Sequence, residues 1–219
     1  MSAKRTQKDN AYDFIKERIL SCVYLPGEMI NALQLCDEMG GISRTPIRDA
    51  LSVLEQEGLI TVLPKKGIFV TNVNMKDINH VFEVRTLLET YTLANFGDGI
   101  NRDELQELYR QISNDSGEQA GLERYYQLDY NLHGCIMEAL SNPFLSATYK
   151  NIRALNSRFR ILTGNKIDNR IEETKNEHLD VLACCIDRKW NEASASMKIH
   201  LENSRKATIL LMAENDAFR

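Results

Sequence analysis

Ser43-Arg44-Thr45-Pro46-Ile47-Arg48-Asp49-Ala50-Leu51 is the stretch that decides how this 219-residue chain is read. Serine is a good helix N-cap, and Pro46 falls in the first turn, where a missing N–H costs little. Ile47, Ala50, Leu51 and Leu54 recur at three- and four-residue spacing and predict one buried helix face. Arg44, Thr45, Arg48 and Ser52 occupy the other face. Guanidinium and hydroxyl groups on an exposed helix suit phosphate oxygens and base edges in a DNA major groove.

Upstream, Tyr12, Ile15, Ile19 and Val23 keep helical spacing through a first helix, which stops at the Leu25-Pro26-Gly27 turn. A second short helix is expected from Ala32 to Met39, with Leu33, Leu35, Cys36 and Met39 as its apolar residues. Gly40-Gly41 breaks it and leads into Ser43. Two helices joined by a tight glycine-containing turn, the second basic at its start, predict a helix-turn-helix. Downstream, Leu59-Ile60-Thr61-Val62-Leu63 and Ile68-Phe69-Val70-Thr71 are rich in β-branched residues and flank Pro64-Lys65-Lys66-Gly67. That pattern predicts a hairpin wing with Lys65 and Lys66 at its tip, facing backbone phosphate. Each piece alone fits an amphipathic helix or a surface hairpin with solvated lysines; their order favours a winged helix.

The segment Leu25 to Val70 resembles the winged-helix domain of the GntR family of bacterial transcription regulators. The matching residues are Leu25-Pro26-Gly27-Glu28, Leu35, Ser43-Arg44-Thr45-Pro46-Ile47-Arg48, Ala50-Leu51, Leu54, Glu57-Gly58-Leu59 and Gly67-Ile68-Phe69-Val70. Ile47 and Asp49 stand where the family usually has Val and Glu, and Gly40-Gly41 adds one residue to the turn. The resemblance implies a double-stranded DNA operator as partner, contacted by Arg44, Thr45, Arg48, Lys65, Lys66 and Gly67.

A hydrophobic content of 43% with 26% charged residues is that of an ordinary globular protein. No apolar run approaches the ~20 residues that span a bilayer. The start, Met-Ser-Ala-Lys-Arg-Thr-Gln-Lys, lacks the apolar stretch of a secretory signal, so a basic disordered arm and a cytoplasmic location are expected. The five cysteines show no metal-ligand spacing and read as reduced, buried thiols, with a redox role for Cys184-Cys185 the weaker alternative. The net charge of -4 is unevenly spread: residues 1–74 hold 9 Lys/Arg and 9 Asp/Glu, so the whole acidic excess lies beyond them. Local placement of cations, rather than net charge, decides whether phosphate is attracted.

From Met75 onward almost no strand signal remains. Apolar residues repeat at helical spacing: Ile78, Val81, Phe82, Leu87, Leu88 and Leu93, then Leu105, Leu108 and Ile112, then Leu128, Leu132, Ile136 and Leu140. Further helices are expected over Pro143–Thr163, Arg170–Arg188 and Trp190–Glu214. Gly97-Asp98-Gly99, Asp115-Ser116-Gly117, Ser141-Asn142-Pro143 and Thr163-Gly164-Asn165 are the breaks. The expected fold is therefore mainly α: a winged helix-turn-helix followed by an antiparallel bundle of about six helices. Its divisions are a basic arm over 1–10, the winged helix over 11–71, a linker over 72–76 and the helical domain over 77–219.

Three of the four histidines lie on helices among apolar neighbours. Asp129 and His133, four residues apart, share a face with Ile136 and Leu140; His178 goes with Val181, Leu182 and Cys185; His200 goes with Met197 and Ala193. One Asp and three imidazoles from three helices could converge inside a bundle on a divalent metal. Each could equally be a core histidine with a single hydrogen bond. This half resembles the all-helical FCD effector domain of the FadR-type GntR regulators. The resemblance rests on Asp129-Tyr-Asn-Leu-His133, Ala139-Leu140-Ser141-Asn142-Pro143-Phe144-Leu145, Glu177-His178 and Met197-Lys-Ile-His200-Leu201. It implies Asp129, His133, His178 and His200 as ligands of a divalent metal (zinc, nickel or manganese) that holds a small carboxylate effector. It also implies an effector-binding arginine at Arg85, which could instead pair with Glu89 four residues on.

The expected function is a ligand-responsive, DNA-binding transcription repressor acting as a homodimer, since one recognition helix reads only a few base pairs. It is not expected to be an enzyme. The alternatives are a metal-dependent hydrolase or lyase using the same His and Asp residues, and a helical adaptor whose winged helix binds protein.

Overall fold

The computed structural model describes residues 5–114, 121–163 and 170–214. The first helix, α1 (Gln7–Leu20), starts earlier than composition suggests. Thr6 and Asp9 form a capping box, each satisfying the other's backbone N–H, so the end of the expected basic arm is helical. Residues 1–4 of that arm lie outside the described residues. The helix stops at Leu20 because Cys22 enters the left-handed region at φ 56, which leaves Val23 exposed instead of continuing the buried stripe of Ala11, Ile15 and Ile19.

Two further helices and a small sheet complete the first unit, Met1–Asn74. α2 (Ala32–Glu38) is capped by Asn31 and buries Leu35 and Cys36, while Leu33, expected on the apolar face, is exposed. Gly40 and Gly41 both adopt positive φ, at 76 and 79, a conformation glycine takes without a Cβ penalty. α3 (Arg44–Gln56) buries Ile47, Ala50, Leu51 and Leu54. Ser43 sits at its N-cap position but makes no side-chain cap bond. The reason is Pro46, which occupies the third helical position and has no N–H to donate. α1 packs on α3, and at the far end Glu57 accepts from the Tyr12 hydroxyl (2.6 Å) and the Lys16 ammonium (2.8 Å).

The wing strands are β2 (Ile60–Leu63) and β3 (Gly67–Val70), paired antiparallel with Leu63 opposite Gly67. A two-residue strand, β1 (Met29–Ile30), adds to the outer edge of β3 with Ile30 opposite Ile68, giving the order β1-β3-β2. The Leu25-Pro26-Gly27 turn delivers it, and Gly27 N–H donates to the Val70 carbonyl at 2.9 Å.

The second unit, Met75–Arg219, is helical throughout its described residues apart from turns and a short 3₁₀ turn at Gly97–Gly99. Among the described residues its α-helices are α4 (Met75–Phe96), α5 (Arg102–Ser113), α6 (Gly121–Glu138), α7 (Pro143–Leu162), α8 (Arg170–Ile186) and α9 (Trp190–Glu214). α4 thus takes up the last residues of the expected linker. Asn101 and Asn142 cap α5 and α7, and α7 opens on Pro143. The breaks expected at Asp115-Ser116-Gly117 and Gly164-Asn165 lie outside the described residues. α4 packs against α6, α7 and α9; α8 packs against α5 and α9. Leu87, expected in the core, is 63% exposed, whereas Arg85, Glu89 and Thr92 of the same helix are buried. All five cysteines are thiols, with Cys36, Cys135 and Cys185 buried.

Gly97 is buried against the Trp190 indole, where an added Cβ would lie 2.3 Å from the ring. Gly97→Ala is therefore expected to destabilise the helical unit by about 1–3 kcal/mol through overpacking. Thermal unfolding measures this, and an unchanged Tm would mean the indole moves aside freely.

Candidate metal centre and nucleic-acid interface

α6 brings Asp129 and His133 to one face a turn apart, α8 brings His178, and α9 brings His200. All four are buried, and one potential ligand atom from each lies within 4.8 Å of the others. Asp129 Oδ1 is 3.6 Å from His133 Nε2 and 3.5 Å from His178 Nε2, and His178 Nε2 is 3.3 Å from His200 Nε2. Donors about 2.0–2.2 Å from a shared ion stand roughly 3–3.6 Å apart, so the spacing fits a cation.

A second layer of carboxylates fixes the rings. His133 Nδ1 donates to Glu89 Oε2 at 2.6 Å, and His200 Nδ1 donates to Glu177 Oε2 at 2.9 Å. An ionised carboxylate only accepts, so in the neutral ring each of these imidazoles turns its Nε2 lone pair to the cluster. His133 Nε2 is buried and has no hydrogen-bond partner among the described residues. Glu89 Oε1 also accepts from Arg85 Nε (2.8 Å) and the Tyr149 hydroxyl (2.9 Å). Glu177 is clamped by Arg170 through two bonds of 2.8 and 2.6 Å and by Asn203 at 2.7 Å. The outer oxygen of Asp129, Oδ2, accepts from Arg160 of α7.

These contacts set the charges. Burial opposes ionisation of Glu89, but Arg85 and His133 outweigh it and bring its carboxyl down to about 2. Burial likewise opposes Glu177, which His200, Arg170 and Asn203 bring to about 2. Asp129 is held well below the usual range by Arg160 and His133 despite burial. Burial, with His200 adding to it, keeps the His178 ring neutral well below its ordinary value. Burial also lowers His200, although Glu177 partly offsets this. For His133 the balance reverses, because Glu89 outweighs burial and raises it, so a cation there competes with a proton.

Beside Asp129 lies a cavity of about 50 Å³ lined by Arg85, Tyr125, Tyr126, Asn156, Arg160 and Arg170, among others. Arg85 thus borders the cavity while its Nε is committed to Glu89, the ion pair that its spacing allowed. Glu177, Tyr149, Arg160, Arg170 and Asn203 were not picked out from the sequence as site residues. Each is a polar residue on a helix, indistinguishable by spacing from solvated surface.

In the first unit, Arg44, Thr45 and Arg48 are exposed on α3, opposite its buried stripe. Lys65 and Lys66 are exposed at the wing tip, where Lys65 is left-handed at φ 64 and Gly67 closes the turn at φ 125. A winged helix with a basic face on its third helix, followed by a helical unit, defines a DNA-binding transcription regulator.

Residues 7–70 match the bacterial regulatory proteins of the gntR family, and residues 80–203 match the FCD domain. The chain belongs to the FCD family, and the segment before that domain carries the DNA-binding domain of the gntR family. It is 29% identical over 172 residues to YdhC of Bacillus subtilis (strain 168), an uncharacterized HTH-type transcriptional regulator, covering 76% of this chain and 75% of that one. It is 21% identical over 206 residues to the HTH-type transcriptional repressor RspR of Escherichia coli (strain K12), covering 93% and 90% of the two chains. Among solved structures, the metal-free FCD domain of TM0439 is 25% identical with a TM-score of 0.58, covering 65% of this chain and 99% of that one. The Zn2+-bound form of that domain has a TM-score of 0.56 at 24% identity, with the same coverage. Among the described residues, no helix is long and apolar enough to cross a membrane.

Proposed function

We propose that this chain is a ligand-responsive repressor of the FadR type, acting in the cytoplasm as a homodimer. Its helical domain holds a divalent metal on Asp129, His133, His178 and His200, and the metal presents a small carboxylate effector. The observation that carries this reading is the convergence of four buried donors on one point, with His133 Nε2 left without a hydrogen-bond partner. A buried polar atom without a partner costs free energy, and a cation at the cluster would satisfy it. The Zn2+-bound form of the TM0439 domain supports the same reading, with zinc the first metal to try.

When bound, the metal supplies a Lewis-acidic centre that takes a carboxylate oxygen. Glu89 and Glu177 hold the His133 and His200 rings so that no reorganisation is needed on binding. Arg44 and Arg48 read base edges, with Thr45, Lys65, Lys66 and Gly67 fixing register on phosphate. Effector and operator are coupled only if the effector binds the DNA-competent and DNA-incompetent forms with different affinity.

Exposed apolar side chains support the dimer: Leu87 and Tyr91 stand one turn apart on α4, and Ile199 and Leu210 are exposed on α9. Light scattering reads the mass, and a monomer at micromolar concentration would refute this part. The metal site is tested by His133→Ala combined with His178→Ala. Zinc content is expected to fall from one ion per chain towards none, with loss of effector response in DNA binding. Unchanged zinc stoichiometry in a folded variant would refute the site.

A further inference from the structure

We propose that the effector is a short dicarboxylate, one carboxylate taken by the metal and the second by Arg160. The inference rests on the metal reading above and concerns what the site accepts. Around the cluster, three guanidinium groups face three carboxylates: Arg85 with Glu89, Arg160 with Asp129, and Arg170 with Glu177. Glu173, the other partner of Arg170, is largely exposed and lies outside this count. Lys175 and Glu172 line a smaller neighbouring space and offset each other, and Arg158 lines neither space.

The site is therefore neutral when its histidines are neutral and no metal is bound. A divalent ion adds two positive charges where burial makes an uncompensated charge costly. A monocarboxylate removes one of them; a dicarboxylate removes both.

The cavity supplies a place for the second carboxylate. Arg160 lines it, and its present partner, Asp129 Oδ2, belongs to the carboxylate whose charge the metal would share. Tyr126 and Arg170 also line it, and the Tyr126 hydroxyl and Arg170 Nε are buried without hydrogen-bond partners among the described residues. Arg170 Nε can only donate and the Tyr126 hydroxyl can donate, so an acceptor-rich ligand meets an unfilled need. Thr163, Thr174 and Ser204 add hydroxyls to the wall, beside Phe82 and Ala207. At about 50 Å³ the cavity has room for a few water-sized groups of ~10–15 Å³ each, so the ligand is short.

The test is calorimetry on the full chain after a zinc titration, using malonate, acetate and inorganic phosphate as probes. Malonate is expected to bind roughly tenfold to a hundredfold more tightly than acetate, the range for an added charge-assisted contact, and more tightly than phosphate. In Arg160→Gln the malonate-to-acetate ratio is expected to fall towards one. Tyr126→Phe, a milder change, should narrow the ratio in the same direction and stands in if Arg160→Gln does not fold. A ratio near one in the unmodified protein, a ratio retained in both variants, or tighter binding of phosphate would each overturn the inference. Failure to bind zinc in the first titration would instead overturn the metal reading beneath it.

Discussion

Glu89→Leu is expected to lower the stability of the helical unit by about 3–5 kcal/mol, the usual cost of stranding one partner of a buried ion pair. Glu89 is 0% exposed and accepts from Arg85, His133 and Tyr149 at once. Removing its carboxylate leaves the Arg85 guanidinium, 2% exposed, with its charge uncompensated, and leaves two other donors unmatched. The pair itself contributes less than this loss, because bringing both charges out of water offsets most of their attraction. Arg85→Met with Glu89→Leu should therefore recover a large part of what the single variant loses, a coupling that a double-mutant cycle measures. Urea unfolding followed by helical signal provides the numbers. The same substitution frees the His133 ring, so zinc affinity should fall by roughly tenfold to a hundredfold. A stability loss under about 1 kcal/mol would mean Arg85 has another counter-charge, and the buried network would have to be redrawn.

What the sequence shows of the fold divides along the range of the interactions involved. α3 was legible because its buried residues repeat with the helix period and its polar face is uninterrupted. Asn142-Pro143 marked where α7 begins, because local chemistry fixes that end. β1 was not legible: two residues form a strand only because Phe69 and Ile68 stand opposite them. Leu87 was misplaced because α4 is covered on several sides, so apolar spacing alone does not say which residues turn inward. Spacing put Asp129 and His133 one turn apart and each histidine in an apolar stripe, a pattern that core histidines fit equally; the resemblance to FCD domains is what singled out the four as candidate ligands. Their supporting shell could not be named. Tyr149 reaches Glu89 across 60 residues of sequence, and Arg160 reaches Asp129 across 31. A guanidinium or carboxylate on a helix reads as surface charge until the fold supplies its partner.

Arg48→Ala is expected to abolish preference for the operator while leaving the fold intact. Arg48 lies on the exposed side of α3, and its neighbours Ile47, Ala50, Leu51 and Leu54 hold the helix in place without it. Truncating an exposed side chain away from the core should change stability by no more than about 0.5 kcal/mol. An arginine bidentate to a guanine contributes about 1–3 kcal/mol of base discrimination, and in the proposed two-fold dimer that loss counts at both half-sites. Specific affinity should therefore drop by roughly thirtyfold or more, while binding to scrambled DNA falls only by the one lost cationic contact per half-site. Lys66→Ala should behave differently: affinity declines about equally for operator and scrambled DNA, and the salt slope becomes shallower by about one unit per half-site. Fluorescence anisotropy with DNA from the chain's own upstream region, read across a salt series, separates the two patterns. Operator preference retained in Arg48→Ala would move base reading off this face of α3. Operator and scrambled DNA that are indistinguishable even for the unmodified protein would mean the upstream region is not its operator, since phosphate contacts alone carry no sequence information.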